Sequence, residues 1–303
     1  MQSFQKKTKT GHRTKSDMKI LLIGKNGQLG AEINRQSRSR KHETIAFGRE
    51  ELDITDSEKV KSRIESLLPT VVINASAYHV VPDCELYPDK AFAVNATSLK
   101  NLADVCTRYD SKLIHYSTDY IFDGLKGSPY DEDDKPNPLQ IYGLSKLAGE
   151  YIVLNYSENG IVIRACGVYG GKYGSRSKKG NFVLNILKKT KEKDEIEVSS
   201  EQITTPTYAV DLAKATLDLL EHKEILGIYH LVNESYCSWA EFAGRIVKIK
   251  GLTTKIIPVD RKGMDGSLKR PFFSALKNTR AAKLGVKLPS WQDALGRYLA
   301  TLS

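Results

Sequence analysis

The sequence predicts an α/β protein with a doubly wound parallel sheet and a smaller C-terminal α/β lobe. Short runs of β-branched and aliphatic residues alternate with longer amphipathic stretches in the first half of the chain. These runs are largely apolar and do not alternate with polar residues, as expected of strands that are buried on both faces of a parallel sheet. A glycine-rich turn stands between the first run and the first amphipathic stretch. Together these features indicate repeated strand–helix units.

The first half is predicted to supply five strands and the helices that connect them. The predicted strands cover residues 18–23, 44–47, 71–75, 113–117 and 161–164. The predicted helices begin at about Leu29 and cover 57–68, 91–109 and 142–155.

The second half has a different pattern, typical of a lobe packed on the sheet. A loop rich in Gly, Lys and Ser is predicted at 170–180, helices at 181–191 and 210–221, and strands at 228–232 and 256–259. Two further helices have N-terminal capping signals. Ser238 with Glu241 begins a helix that runs to Lys250, and Ser290 with Asp293 begins the last helix.

Composition and charge exclude several classes of protein. The 303 residues are 40% hydrophobic and 27% charged, which is a globular balance, and no apolar run approaches the ~20 residues of a membrane-spanning helix. The net charge of +10 includes +4 from residues 1–17, with five Lys or Arg and one Asp. The remainder does not indicate nucleic-acid binding. The four cysteines form no C-x-x-C pair, so we expect reduced thiols, no metal site and a cytoplasmic protein.

Gly24, Gly27 and Gly30 lie between the first predicted strand and the first predicted helix. A turn without Cβ atoms lets the backbone approach a pyrophosphate, and the helix N-terminus offers free N–H groups and a positive dipole end. A glycine triplet alone is weak evidence, but its position in a strand–turn–helix unit is typical of dinucleotide binding. The sequence therefore predicts a Rossmann-like NAD(P)-binding domain.

The end of the second predicted strand distinguishes the two nicotinamide cofactors. A carboxylate there would bind the ribose 2′-hydroxyl of NAD, whereas an arginine accommodates the 2′-phosphate of NADP. No acid occupies this strand end, and Arg49 follows it, about 19 residues beyond Gly30. This favours NADPH, with NADH as the alternative. The other interpretation is that Arg49 is a solvated loop residue.

A second set of candidate residues follows the fourth predicted strand. Thr118 ends that strand, and Tyr142 and Lys146 lie one turn apart on one helix face. A nearby lysine ammonium would stabilise a tyrosine phenolate and make the tyrosine a useful acid. The hydroxyl of Thr118 would orient a substrate oxygen. Although a Tyr-x-x-x-Lys pair is often only a solvated helix face, its place after the glycine turn indicates a catalytic set.

These residues and their order resemble the extended short-chain dehydrogenase/reductases, and within them the dTDP-4-dehydrorhamnose reductase family. The resemblance runs from Met18 to the C-terminus. Seven segments carry it: GKNGQLG, NASAY (74–78), AFAVNA (91–96), HYSTDYIFDG (115–124), YGLSKLAGE (142–150), YHLV (229–232) and LPSWQ (288–292).

The resemblance implies reduction by NADPH or NADH of the C4 ketone of a nucleotide-linked 6-deoxyhexulose, converting dTDP-4-dehydro-L-rhamnose to dTDP-L-rhamnose. Tyr142 would protonate the developing alkoxide, Thr118 would bind the same oxygen, and Lys146 would bind the nicotinamide ribose and lower the pKa of Tyr142. The cofactor contacts it implies are Gly24, Asn26, Gly27, Gln28, Leu29, Arg49, Asp53, Ala75, Ala77, Tyr142 and Lys146. The substrate contacts it implies are Thr118, Asp119, Tyr120, Gly167, Asn181 and Arg270.

Some positions depart from the family pattern. Gly167 stands where the reductases have a tryptophan that walls the sugar pocket, and Pro82 where they tend to have an aspartate. Asp119 is followed by Tyr120 instead of the second acid of the related dehydratases, which favours simple reduction. The altered wall leaves other functions open. These are a reductase or epimerase of another nucleotide keto-sugar, and a non-catalytic NADP-binding regulatory subunit resembling that of methionine adenosyltransferase.

The domain prediction follows from these assignments. Residues 1–17 are expected to be a basic, disordered tail, 18–170 the NAD(P)-binding domain, and 171–303 mainly a substrate lobe. Part of that lobe, about 205–235, is expected to pack back on the NAD(P)-binding domain. The expected partner is a nucleotide sugar, with no membrane or nucleic acid, and the expected state is a monomer or homodimer.

Overall fold

The computed structural model describes residues 18–171, 180–260 and 268–302. The predicted basic tail and most of the predicted loop at 170–180 lie outside this range. In chain order the strands are β1 (Lys19–Ile23), β2 (Glu43–Phe47), β3 (Val71–Asn74), β4 (Lys112–Thr118), β5 (Gly160–Ala165), β6 (Val168–Tyr169), β7 (Glu195–Ser199), β8 (Ile203–Thr204), β9 (Thr207–Tyr208), β10 (Gly227–His230), β11 (Cys237–Ser238) and β12 (Lys255–Val259).

Helices connect most of these strands. In chain order they are α1 (Gln28–Ser39), α2 (Ser57–Leu67), α3 (Val81–Leu86), α4 (Pro88–Phe92), α5 (Ser98–Arg108), α6 (Ile141–Tyr156), α7 (Phe182–Lys189), α8 (Ala209–Leu220), α9 (Trp239–Ile249), α10 (Thr279–Lys283) and α11 (Trp291–Ala300). The helix predicted at 91–109 has a more complex form, because a π-helical turn at Ala93–Thr97 joins α4 to α5.

Six strands form one parallel sheet in the order β10-β5-β4-β3-β1-β2. The predicted α/β class with a doubly wound sheet is confirmed. The chain leaves β1 toward β2 and then crosses to β3 on the other side of β1. The loops after β1 and β3 therefore diverge, and this switch point is where open α/β sheets bind ligands.

Alternate residues of β1 pack on opposite faces of the sheet, as its uninterrupted apolar sequence predicts. Ile20 and Leu22 belong to a buried cluster that includes residues of α1 and α8. Leu21 and Ile23 belong to a second cluster that includes residues of α2, α5 and α6. The first strand is therefore buried on both faces of the sheet, and the glycine turn follows directly from it.

Two segments of the second half return to the sheet. β10 pairs with β5 at the sheet edge, and α8 packs against α1. The Gln36 side chain donates a hydrogen bond to the Val210 carbonyl oxygen at 2.9 Å. Both elements fall within residues 205–235.

The rest of the second half forms a cluster of its own, built on the parallel pair β7 and β12 and on α7, α9 and α11. The capping box of α9 is present: Ser238 Oγ accepts the Glu241 N–H at 3.1 Å, and Glu241 Oε2 accepts the Ser238 N–H at 2.7 Å. Ser290 caps α11 in the same way, accepting from the N–H of Asp293. No helix in the described ranges combines the length and apolar character needed to cross a bilayer.

Candidate active site at the carboxyl ends of the strands

A cavity of ≈ 1530 Å³ opens at the carboxyl ends of β1, β3 and β4 and continues along α7, β7 and the start of α9. This exceeds the roughly 300–1,000 Å³ typical of a site for one small ligand, so two ligands can be accommodated. All the residues predicted for cofactor, substrate and catalysis line it. The structure therefore brings together side chains that lie up to about four-fifths of the chain apart in sequence.

The three glycines of the first turn are required for different physical reasons. Gly24 has φ +95° and a Cβ there would lie 2.8 Å from the backbone of Ala75. A Cβ on Gly30 would overlap the Gly24 carbonyl oxygen, so Gly30 allows α1 to approach the turn. At Gly27 a Cβ would meet only that oxygen, at an ordinary 3.5 Å. The protein fold thus leaves the space beside Gly27 open.

Gly27 is also the N-cap of α1, and it provides no side-chain cap. The first N–H groups of α1 therefore need partners from outside the helix. An open, side-chain-free turn at a helix N-terminus fits the pyrophosphate of a dinucleotide. The residues present fit the cofactor that the sequence predicts.

Charged residues surround the loop after β2. Arg49 is 80% exposed and its Nε lies 3.1 Å from Asp53 Oδ2. Lys25, which the sequence analysis did not single out, pairs with Glu51 at 2.6 Å. Hydrogen bonds from Lys25 and from the Gly48 N–H lower the pKa of the Glu51 carboxyl. Lys25 and Arg49 thus each have a carboxylate partner.

Thr118 ends β4 and begins a short 3-10 turn, Asp119–Ile121. Its Oγ1 donates to Asp119 Oδ1 at 3.1 Å and accepts the Tyr120 N–H at 3.2 Å. Asp119 Oδ2 accepts the hydroxyl of Ser274 at 2.6 Å. Burial raises the pKa of Asp119, although these hydrogen bonds oppose the shift. This carboxyl group is held by its neighbours at the edge of the cavity.

Tyr142 lies in the first turn of α6, next to this strand end. Gln140 caps the helix by accepting the Gly143 N–H at 2.7 Å. The Tyr142 ring meets the Tyr120 ring edge-on, with centroids 6.1 Å apart. Burial raises the pKa of Tyr142, and a hydrogen bond with Thr118 lowers it by less. The phenol is therefore protonated at neutral pH. That Lys146 lowers the pKa of Tyr142 stays a prediction.

Lys146 lies one turn further along α6 and is almost completely buried, with 1% of its surface exposed. Its Nζ lies 3.0 Å from His115 Nε2 and donates to the Tyr116 carbonyl oxygen. Burial lowers the pKa of Lys146 to about 7, and Glu150 opposes that shift. Its amino group thus contacts β4 as well as lining the cavity.

The π-helical turn before α5 supports this arrangement. It presents Asn95, whose Nδ2 donates to the Tyr78 carbonyl oxygen at 2.9 Å and to Ser145 Oγ at 3.0 Å. Its Oδ1 accepts the Tyr78 N–H at 2.9 Å. Asn95 therefore joins the loop after β3 to the helix that carries Tyr142 and Lys146. Such turns are frequent at functional sites.

Asn181 and Gln28 hold the cavity wall together. Asn181 Oδ1 accepts the Leu184 N–H at 3.0 Å and caps α7. Its Nδ2 donates to Gln28 Oε1 at 3.1 Å and to the hydroxyl of Tyr298 at 2.9 Å. The polar atoms of Asn181 thus already have protein partners. By contrast, the buried Nε of Arg270 has none among the described residues.

Aromatic residues that the sequence analysis missed form another part of the wall. Trp239, the first residue of α9, and Phe182, the first residue of α7, both line the cavity. Their rings pack together with centroids 4.5 Å apart. The capping box around Trp239 was predicted from the sequence, but no pattern in the sequence indicates that this indole lines the cavity.

The described part of the chain contains no group of three or more His, Cys, Asp or Glu side chains that could hold a metal ion. The cysteines Cys84, Cys106, Cys166 and Cys237 are all buried, and none of them forms a disulfide bond within the described residues.

Known proteins match the chain over most of its length. The family model described as RmlD substrate binding domain matches residues 18–303. The spore coat polysaccharide biosynthesis protein SpsK of Bacillus subtilis is 37% identical over 281 residues, which is 93% of this chain and 96% of that protein. A dTDP-4-dehydrorhamnose reductase of Aggregatibacter actinomycetemcomitans is 34% identical, covering 91% of this chain and 97% of the relative.

Solved structures agree with these relatives. The dTDP-4-dehydrorhamnose reductase of Bacillus anthracis, solved in complex with NADP, has a TM-score of 0.87 and 32% identity, covering 94% of this chain and 100% of that chain. A dTDP-4-dehydrorhamnose reductase from Clostridium acetobutylicum has a TM-score of 0.86 and 33% identity, covering 94% and 99%. A UDP-glucose 4-epimerase of Thermus thermophilus, with a TM-score of 0.77, 20% identity and coverage of 94% and 99%, shares the Rossmann-like fold. The chain therefore belongs to the extended short-chain dehydrogenase/reductases, a class of oxidoreductases, and within them to the RmlD family, as its motifs predicted.

Proposed function

We propose that this protein is an NADPH-dependent reductase of the C4 ketone of a nucleotide-linked 6-deoxyhexulose, with dTDP-4-dehydro-L-rhamnose as the first candidate. The observation that carries this proposal is that Thr118, Tyr142 and Lys146 line the same cavity as the glycine turn. The names of the reductase relatives support the reaction class, and the NADP complex of one of them supports the cofactor.

The residues of the chain are suited to protonating the substrate oxygen. When bound, NADPH would supply a hydride to the carbonyl carbon, so negative charge would develop on the oxygen. Tyr142 carries the proton that this oxygen needs, because burial keeps its phenol protonated. The Thr118 hydroxyl orients the same oxygen once its O–H turns from Asp119 Oδ1 to the substrate. The product is the alcohol, and Tyr142 regains a proton from solvent.

The cavity also has the chemistry for a nucleotide diphosphate. Lys189, Lys269 and Arg270 line it and would balance the negative charge of the two phosphates. Trp239 and Phe182 add aromatic surfaces to the same cavity. This combination supports a nucleotide sugar as the substrate.

A different keto-sugar is the second candidate. Gly167, just after β5, stands where the family pattern has a tryptophan in the wall of the sugar pocket. The chain is also 37% identical to SpsK, compared with 34% for the reductase of Aggregatibacter actinomycetemcomitans. The reaction would be the same hydride and proton transfer to another nucleotide-linked ketone.

The direct test is NADPH oxidation, followed by nicotinamide absorbance, with enzymatically generated dTDP-4-keto-6-deoxy-L-lyxo-hexulose and with NADH in parallel. Saturable turnover with NADPH is expected. Turnover only with another sugar in a keto-sugar panel would select the second candidate. Tight NADPH binding without turnover of any sugar would overturn the reductase proposal in favour of a regulatory, cofactor-binding protein.

A further inference from the structure

Behind Lys146 lies a buried chain of polar side chains that the proposed reaction does not use directly. His115 of β4 is fully buried, with 0% of its surface exposed. Its Nε2 lies 3.0 Å from Lys146 Nζ, and its Nδ1 lies 3.1 Å from Asn74 Nδ2. The three side chains thus form a line from the end of β3, through β4, to α6.

The orientation of the Asn74 amide is determined by a backbone donor. Its Oδ1 accepts the Ser76 N–H at 3.1 Å and the Ser76 hydroxyl at 2.6 Å. A backbone N–H can only donate, so the atom that faces it is the oxygen. The amide nitrogen therefore faces His115 and donates a hydrogen bond to its Nδ1.

This donor determines the tautomer of His115. Complete burial, together with the nearby Lys146, lowers the pKa of His115 well below its usual value, so the ring is neutral. A neutral imidazole carries one N–H, and here Nδ1 accepts, so the hydrogen is on Nε2. This N–H points at Lys146 Nζ.

An ammonium group has only N–H bonds to offer and cannot accept a hydrogen bond. If Lys146 were charged, two donors would face each other at 3.0 Å between two buried side chains. A neutral amine has a lone pair that accepts from His115 Nε2, and it can still donate to the Tyr116 carbonyl oxygen. The hydrogen-bond pattern is complete only with the neutral amine.

We propose that His115 is a positioning residue that holds Lys146 as a neutral amine in the ligand-free protein, and that Lys146 takes up a proton when the cofactor binds. In the ligand-free state the chain of donors runs from Asn74 to His115 to Lys146 to the Tyr116 carbonyl oxygen.

The charged groups around Lys146 are consistent with this state. Glu150, one turn further along α6, is the nearest carboxylate on that helix, but it forms a buried bidentate pair with Arg164 of β5. Arg164 therefore neutralises much of the field that would otherwise keep Lys146 charged. On the other side Tyr142 is a neutral phenol. Desolvation accordingly dominates and holds the pKa of Lys146 at about 7.

The functional consequence rests on the proposed reductase function. Lys146 stabilises the phenolate left on Tyr142 only as an ammonium, and the charged group binds ribose hydroxyls more strongly than a neutral amine does. Cofactor binding then draws Lys146 away from His115, and the proton comes from solvent. The dissociation constant of NADH is expected to rise about tenfold per pH unit above pH 7, because the ligand-free protein must first be protonated. NADH is the probe for this measurement because it lacks the 2′-phosphate of NADPH, whose own titration would add to the pH dependence.

The ligand-free protein provides the first test. Nitrogen NMR of lysine- and histidine-labelled full-length protein is expected to show His115 as the Nε2–H tautomer, and one lysine Nζ titrating near pH 7 that is absent in Lys146→Met. In His115→Gln the amide oxygen can accept from an ammonium, so the Lys146 titration is expected to move up by about one pH unit or more. His230→Gln is the matched control, because His230 is also fully buried but faces Arg164.

A second variant tests the tautomer with His115 retained. Asn74→Asp replaces the amide donor with an acceptor, so the hydrogen of His115 is expected to move to Nδ1 and Nε2 becomes an acceptor for charged Lys146. An Nδ1–H tautomer in the wild-type protein, or a Lys146 titration above pH 9, would overturn the inference.

The proposed reductase function and the proposed proton uptake by Lys146 can be refuted independently. Absence of dinucleotide binding would refute the reductase function and leave the NMR result intact. A pH-independent NADH dissociation constant, with normal turnover, would refute the proton uptake alone.

Discussion

A Cβ atom placed on Gly167 would lie 3.4 Å from Cη2 of Trp239, so the backbone after β5 and the indole of α9 form one wall of the cavity. Gly167 has φ +52°, a left-handed conformation that costs other residues strain. A bulky residue at 167 would therefore meet Trp239 and distort the backbone. The indole in this wall is supplied by Trp239 of α9. Replacing Gly167 with tryptophan would therefore not simply add a second indole to the wall.

We expect Trp239→Phe to weaken substrate binding selectively. The smaller ring keeps contact with Phe182 but leaves the space beside Gly167 unfilled. KM for the nucleotide sugar should rise about five- to tenfold, the worth of one aromatic contact. The NADPH dissociation constant should change less than about twofold. Steady-state kinetics and cofactor fluorescence titration measure the two effects.

Trp291→Phe is the control for this variant. Trp291 belongs to the same hydrophobic cluster but is 6% exposed and does not line the cavity. Its replacement should lower stability without changing KM. Equal effects of the two substitutions on KM would show that Trp239 acts only through packing.

The fold and the glycine turn could be predicted because their signals are local. The strand β1 contains four consecutive apolar residues, 20–23, and the turn follows it immediately. The same holds for the Ser238–Glu241 capping box, in which the partners are three residues apart. In these cases a few neighbouring side chains determine the structure.

The missed residues depend on contacts between distant parts of the chain. Trp239 reaches the cavity because α9 begins beside β8, and β11 pairs with β8 to place it there. His115 lies in one of the family motifs, but its contacts with Asn74 and Lys146 join residues that are 41 and 31 positions apart in the sequence. Contacts of this kind produce no periodicity or fixed spacing in the sequence from which they could be predicted.

Gly27 and Gly30 should respond differently to alanine. A Cβ at Gly30 would overlap the Gly24 carbonyl oxygen, so Gly30→Ala should destabilise the protein by about 1–3 kcal/mol. A Cβ at Gly27 meets no close protein atom, so Gly27→Ala should stay within about 1 kcal/mol of wild type. It should nevertheless raise the NADPH dissociation constant about tenfold or more, because the methyl group occupies the pyrophosphate side of the turn. Urea unfolding and fluorescence titration separate the two. Normal NADPH affinity in Gly27→Ala would place the pyrophosphate elsewhere.

Arg49→Ala should discriminate between the two nicotinamide cofactors. Arg49 lines the cavity and is exposed, and among the described residues Asp53 is its ion-pair partner. Loss of its charge should raise the NADPH dissociation constant about tenfold and the NADH constant less than twofold at fixed ionic strength. Arg63→Ala is the control, because Arg63 lies over the Phe47 ring at the same strand end without lining the cavity. Equal losses for both cofactors would remove Arg49 from the 2′-phosphate site.

Tyr142→Phe tests the proton donor of the proposed reaction. The phenylalanine ring keeps the edge-on contact with Tyr120 but has no hydroxyl proton to give. With both ligands saturating, kcat should fall by about 10²–10⁴-fold, the usual contribution of a general acid, while the NADPH dissociation constant stays within about twofold. Tyr151→Phe on the same helix is the matched control, because Tyr151 is 55% exposed and lies outside the cavity. If Tyr142→Phe retained normal turnover, the proton would have to come from another group, and Thr118 or a solvent molecule would become the donor to test.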